Sequence, residues 1–150
     1  MSTPGPDDYV ALRAIAERYA SGVDQRDPKL FTSAFRPDAR LRVFDPSDAE
    51  TPARERQGHE ELARIPDVVA AYDRTFHFLG NSRYDVVGDT ATGEVYCMAH
   101  HLMRSDNSNR IMYIRYRDDY RRGGDGEWLI ATRDVLVDWS ESHAVRSWDY

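Results

Sequence analysis

Five side chains in this sequence are placed where acid–base chemistry could occur in an apolar setting: Tyr19, Asp24, His77, His101 and Arg133. His77 lies in "RTFHFLGN", between Phe76 and Phe78, at the start of what reads as a β-strand. An imidazole titrates near neutral pH, so in such surroundings it is either a core histidine satisfied by backbone groups or a base beside a pocket. Tyr19 falls on the apolar stripe of a helix, where its hydroxyl needs a partner. Asp24 follows Val23 as that helix ends, and on its own reads as a solvated turn residue. Arg133 shares a strand face with Val135 and Val137. An arginine on an apolar face either snorkels or marks an anion site.

His100 and His101 are neighbours on a strand, so they point to opposite faces and cannot chelate one metal together. His101 shares its face with Cys97 and Ala99, which are small and leave room for a ligand. His101 is therefore expected inside, and His100 is the alternative if a bulge shifts the parity. His59 and His143 stand in polar contexts and read as surface residues. Cys97 reads as a small core residue. No zinc-site pattern, glycine-rich phosphate loop or nucleophile elbow occurs, and no metal or cofactor is expected.

The elements that must position these residues follow from periodicity. Residues 1–7 read as a loose tail. A helix should start at Asp7 or Asp8 as its cap, with Leu12, Ile15, Ala16, Tyr19 and Val23 at helical spacing. A short helix follows in "DPKLFTSAF", capped by Asp27 with Pro28 in its first turn. "ARLRVFDP" alternates as a strand, "SDAETPARERQG" reads as a polar loop, and "HEELARIPDVVAAYDR" as a helical segment interrupted or restarted at Pro66. The period then changes to two. "TFHFLGNSRYDVV", "ATGEVYCMAHHLM", "RIMYIRYRDDYRR" and "EWLIATRDVLVDW" are four long strands, separated by the turn chemistry of "GDT", "SDNSN" and "GGDG". No crossover helix lies between them, so they should form an antiparallel meander with the early helices on one face. The fold class is α+β, a single domain over 1–150, with a curved sheet whose concave face holds core side chains or a small-molecule pocket.

Composition narrows the function classes. A chain of 150 residues with 41% hydrophobic and 31% charged residues is an ordinary folded domain. A formal net charge of −6 argues against nucleic acid as a partner. No apolar run reaches membrane-spanning length, "MSTPGPDD" lacks the features of a signal peptide, and one cysteine allows no internal disulfide. A cytoplasmic location is the expectation.

From about Tyr9 to Trp139 the chain resembles the SnoaL-like branch of the nuclear transport factor 2-like superfamily of cone-shaped α+β domains. The carriers are "YASGVDQRD", "TFHFLGN", "VVGDTATGEVYCMAHH", "RYRDDYRRGGDGEWLI" and "TRDVLVDW", in that order. Within that superfamily it is similar to hexachlorocyclohexane dehydrochlorinase, scytalone dehydratase and bile acid 7α-dehydratase. Those enzymes use an Asp–His dyad for elimination without metal or cofactor. The resemblance maps the aspartate to Asp24 in "GVD" and the histidine to His77 in "TFH". It maps the bile acid enzyme's tyrosine to Tyr19, the last-strand arginine to Arg133, and a second histidine to His101. The dehydrochlorinase carries a basic residue near the Tyr19 slot, so halide loss is not implied. The loop from Pro46 to Gly58 has no clear counterpart, and in this fold such loops can cover the pocket mouth.

The resemblance thus implies a cofactor-independent lyase, of the dehydratase type, acting on a small apolar cyclic, polyketide- or steroid-like compound. His77 would be the base, Asp24 its orienting partner, Tyr19 a donor to a carbonyl or leaving hydroxyl, Arg133 a stabiliser of negative charge and His101 a second acid. Phe31, Phe35 and Cys97 are expected in the pocket wall. The alternatives are an isomerase or polyketide cyclase on the same scaffold, or a non-catalytic small-molecule-binding or assembly domain. A homo-oligomer is expected, a trimer favoured over a dimer. The ground is the apolar surface read on the outer face of the sheet, with Tyr84, Met112 and Ile114 among its residues.

Overall fold

The computed structural model describes residues 3–146. Four helices, α1 (Pro6–Asp24), α2 (Pro28–Thr32), α3 (Gly58–Leu62) and α4 (Ile65–Val69), accompany six strands. These are β1 (Phe35–Phe44), β2 (Arg54–Gln57), β3 (Arg74–Val87), β4 (Thr90–Met103), β5 (Ser108–Arg122) and β6 (Trp128–Ala144). All six strands form one sheet in the order β2-β1-β6-β5-β4-β3. The four long strands form the expected antiparallel meander, while β1 runs parallel to β6. That parallel pairing joins elements far apart in sequence, which strand periodicity does not address.

Two local expectations are corrected. Helix α1 begins two to three residues earlier, with Gly5 as its N-cap and Pro6 in the first turn, and no side chain caps it. Asp8 is instead held by Arg122 and the Trp128 indole, both at 2.9 Å. The polar stretch before Gly58 is partly strand: Arg54–Gln57 pairs antiparallel with β1. All four residues of β2 are exposed, so its side chains carry no hydrophobic alternation to read. The cap at Asp27 is as expected, accepting from the Leu30 N–H at 2.9 Å.

The apolar stripe of α1, with Leu12, Ile15, Tyr19 and Val23, packs onto the concave face of the sheet and is buried. Close approach between α1 and α2 depends on Gly22. A Cβ there would sit 2.5 Å from the Phe31 backbone nitrogen, a rigid neighbour. The pairing register shifts between Leu79 and Ser82 on β3 and twice along β5–β6, and such irregularities bend a sheet. Arg13 on α1 donates to the Gly80 carbonyl at 2.8 Å, tying the helix to the first of these bends.

The faces of β5 differ from expectation. Ile114 is buried and Met112 lines the interior, while Tyr84 belongs to the core. The outer face instead carries a row of large apolar side chains that crosses four strands, Phe78–Met98–Tyr113–Trp139, in register. Tyr113 and Trp139 stack with ring centroids 4.3 Å apart. Alternation along β5 places 112 and 113 on opposite faces, and only the pairing to β6 shows which is which.

Candidate active site

Asp24 ends α1, and three residues later the chain must turn into α2. The turn is made by Arg26 in the left-handed region, at φ 58°, where a non-glycine residue is uncommon. This brings the Asp24 carboxylate onto the first residues of β3. Oδ1 lies 2.7 Å from His77 Nδ1 and accepts from the Thr75 hydroxyl at 2.9 Å. Oδ2 accepts from the His77 backbone N–H at 2.8 Å. A carboxylate can only accept, so His77 carries its proton on Nδ1. Nε2 has no hydrogen-bond partner among the described residues and is the nitrogen left for the cavity that His77 lines. Burial alone would raise the Asp24 pKa. The hydrogen bonds and charge of His77, with Thr75, outweigh it and hold the carboxyl below its usual range.

Thr75 is itself held. Arg26 Nη1 donates to Thr75 Oγ1 at 2.8 Å and to the Val23 carbonyl at 2.7 Å. Its Nη2 reaches the Tyr72 carbonyl at 3.3 Å. The Tyr72 ring packs on His101 at 4.8 Å between centroids. One guanidinium therefore fixes the support of both histidines. Arg26 was not singled out from sequence, although an arginine following the "GVD" turn was visible there.

His101 faces inward, 8% exposed, directly across from Thr75 in the β3–β4 pairing. Its ring lies 6.0 Å from that of His77. His100 faces the other way, with Nδ1 2.9 Å from the Asn109 amide nitrogen. Burial, aided by the nearby His77, pushes His101 down to about 4, so it is neutral at pH 7. Its Nδ1 is buried without a hydrogen-bond partner among the described residues.

Both histidines line a cavity of about 180 Å³ between the helices and the concave face. Its walls are aliphatic, with Val23, Leu41, Ile65, Met112 and Val135 among them, and Tyr19 and Tyr116 form its deep end. Burial pushes the Tyr19 hydroxyl up to about 12, against the opposing effects of the Arg133 charge and a hydrogen bond from Tyr116. Tyr19 is therefore protonated at neutral pH and can donate. Tyr116 is a lining residue that sequence reading passed over. Its place in the alternation of β5 was visible, but nothing local marked it.

The three residues expected in the wall, and Arg133, expected to face the substrate, lie behind it. Phe31 and Phe35 pack against Tyr19, at 4.9 and 6.0 Å between ring centroids, and support the ring from the core side. Cys97 is buried, and desolvation pushes its thiol up to about 11. Arg133 has no exposure. It donates twice to Asp118, at 2.8 and 2.7 Å, and lies against the faces of Tyr19 and Tyr116, each 4.2 Å from its central carbon. Its Nε and Nη2 are matched by the Asp118 carboxylate and two rings cover its plane, so it supports the tyrosines from behind the wall, while its Nη1 is buried without a hydrogen-bond partner among the described residues. Burial would lower its pKa, but Asp118 raises it by more, and Arg133 stays charged. His143 is exposed, as expected, whereas His59 is half-buried, with Nε2 2.9 Å from the Phe35 carbonyl oxygen. Among the described residues no group of three or more His, Cys, Asp or Glu is placed to hold a metal, and no helix is long and apolar enough to cross a membrane.

The SnoaL-like domain model matches residues 7–134, from the start of α1 into β6. The chain belongs to the SnoaL-like family. Solved structures agree on the fold. A scytalone dehydratase-like protein from Novosphingobium aromaticivorans is 18% identical, with 93% of this chain and 90% of that one covered and a TM-score of 0.77. The hexachlorocyclohexane dehydrochlorinase LinA-type3 from Novosphingobium barchaimii LL02 is 18% identical, with 96% and 95% covered and a TM-score of 0.79. A protein of unknown function from Mycobacterium tuberculosis is 23% identical, with 89% and 76% covered and a TM-score of 0.74. No curated protein matches by sequence. The nuclear transport factor 2-like cone is thus the architecture of this SnoaL-like domain.

Proposed function

We propose that this SnoaL-like domain is a cofactor-independent lyase that removes water from a small, largely apolar cyclic compound. What supports the reading most is the Asp24–His77 pair at the edge of an aliphatic cavity, with the carboxylate anchored by three donors and Nε2 left to the interior. In that arrangement Nε2 takes a proton from carbon, and Asp24 stabilises the resulting imidazolium without itself accepting the proton. The electron pair of the broken C–H bond forms the new double bond as the C–O bond breaks. The imidazolium returns its proton to the departing hydroxyl, which leaves as water. Tyr19, protonated and buried, donates to a carbonyl or to the leaving oxygen. His101, neutral at pH 7 and on the same cavity wall, can pair with a second polar atom of the substrate.

The scytalone dehydratase-like and dehydrochlorinase neighbours carry names that denote elimination, which favours this reaction over others on the scaffold. Cavity size favours one ring. An apolar cavity of roughly 150 Å³ accommodates benzene, and 180 Å³ is a little larger. A four-ring body would need the mouth to open.

The test is turnover of a panel of monocyclic β-hydroxy carbonyl compounds, read by mass. Loss of water that disappears in His77→Ala supports the lyase. A product of unchanged mass would replace it by an isomerase or cyclase using the same base. Ligand binding without any turnover would leave a binding domain.

A further inference from the structure

His77 stands on β3, one edge of the sheet, and the cavity extends to the other edge, β2. In the β1–β2 register Arg56 pairs with Leu41 and Arg54 with Val43. Paired residues share a face, so both arginines lie on the side of Leu41 and Val43, which form the cavity wall. Glu55 also reaches the rim, but its carboxylate is taken by Arg40 at 3.2 Å. On β1 the outward arginines are matched in the same way, Arg40 by Glu55 and Arg42 by Asp134. Among the described residues no carboxylate forms an ion pair with Arg54 or Arg56. The Arg56 guanidinium contacts only the neighbouring Glu55 carbonyl, at 3.0 Å. A chain of net charge −6 thus places two uncompensated cations at the mouth of an aliphatic cavity, across from its candidate base.

From this we propose that the ligand of the cavity is an amphiphilic anion, a one-ring apolar body whose carboxylate is held at the mouth by Arg54 and Arg56. The inference deepens the proposed function and rests on it for the reaction, though not for binding. The ring would fill the aliphatic space, and the carboxylate would stay at the rim, where two guanidinium groups replace part of its hydration. Held there, the other end of the molecule is presented to Nε2 of His77. The two edge strands would then divide the work: β2 selects and orients, and β3 carries the base. A carboxylate left inside the cavity would be unpaired in an apolar wall, so this orientation is also the less costly one.

A matched pair of probes tests this: 3-phenylpropanoate and 3-phenylpropan-1-ol, titrated by calorimetry and by the imidazole resonances of His77 and His101. The acid should bind about three- to tenfold more tightly than the alcohol at low ionic strength, the range expected for ion pairs near a surface. The preference should shrink at about 0.5 M salt. In the Arg54→Gln, Arg56→Gln double variant the two probes should bind alike, with the alcohol unaffected. Equal affinities in the unmodified protein, an acid preference that survives in the double variant, or no binding of either probe would each overturn the proposal. His77→Ala should keep the acid preference. Loss of turnover with the preference intact therefore separates a failure of the lyase reading from a failure of this one.

Discussion

The hydroxyl of Thr75 gives its one proton to Asp24 Oδ1 across 2.9 Å, because Arg26 already donates to the same oxygen atom of Thr75 at 2.8 Å. The direction of that bond is therefore set from outside the pair. Two donors on Oδ1 and one on Oδ2 keep Asp24 ionised and immobile, and that holds the imidazole in one tautomer.

Removing the hydroxyl while keeping the shape should loosen this support. Thr75→Val is expected to cost about 1–2 kcal/mol of stability, since it removes a donor to Asp24 and one of the two acceptors of the half-buried Arg26 Nη1. In histidine nitrogen NMR spectra the Nδ1–H signal of His77 should broaden or split between tautomers. Thr75→Ser should restore it. An unchanged His77 signal in Thr75→Val would show that the two backbone and ring contacts suffice.

Activity should respond to the dyad as one unit. His77→Ala is expected to remove roughly 10²–10⁴-fold in rate, the usual range for a positioned acid–base group. Asp24→Asn should remove much of the same amount by losing charge and tautomer control. The double variant should be little worse than His77→Ala alone, as measured by kcat/KM in a double-mutant cycle. Multiplying losses would assign the two residues separate roles.

Arg133 and Asp118 are both fully buried as side chains. Asp118→Asn leaves the guanidinium charge without its counterion and should destabilise the fold by about 3–5 kcal/mol in urea unfolding. Replacing both partners, by Arg133→Met with Asp118→Leu, should recover a large part of that loss. The Tyr19 and Tyr116 rings that the guanidinium supports should report the change by near-ultraviolet circular dichroism.

Stability should fall with acidification in two stages. His101 moves from 6.5 when unfolded to about 4 when folded, so between these values the unfolded chain binds more protons. Its contribution is complete above about 6.5 and is lost as pH falls towards 4, on the order of 3 kcal/mol in all. Asp24, whose folded pKa lies below 3.8, contributes above 3.8 and loses its contribution as pH falls through its own folded value. Urea midpoints across this range check both. His101→Gln should flatten the upper stage and leave the lower one.

The outer face leads to an assembly prediction. Phe78 is 59% exposed and Trp139 52%, at the two ends of a row of four large apolar side chains. Contiguous apolar rows of this kind on an outer face mark interaction surfaces. A homo-oligomer, with a trimer favoured, should be seen by light scattering at micromolar concentration. Phe78→Lys with Trp139→Lys should give the monomer mass. A monomer mass for the unmodified chain would refute the prediction.

The sequence by itself determined the helix-then-meander order, the inward side of α1 and the four long strands. Each is written locally, as a 3.6-residue or two-residue period bounded by turn residues. It also marked His77 and Asp24 as candidates, and the small residues Cys97 and Ala99 indicated that His101 faces in. The tertiary structure decided what local pattern cannot carry. Parallel pairing of β1 with β6 and the capture of Arg54–Gln57 as an edge strand depend on partners distant in the chain. Arg133 reads from sequence as a cation facing a ligand, yet Asp118, on the neighbouring strand, takes its charge. Alternation on β5 is satisfied by either face, and only the register with β6 places Met112 inside and Tyr113 outside. Nearest-neighbour chemistry sets the elements. Long-range pairing decides which charges are matched and which, like those of Arg54 and Arg56, are left without a carboxylate partner among the described residues.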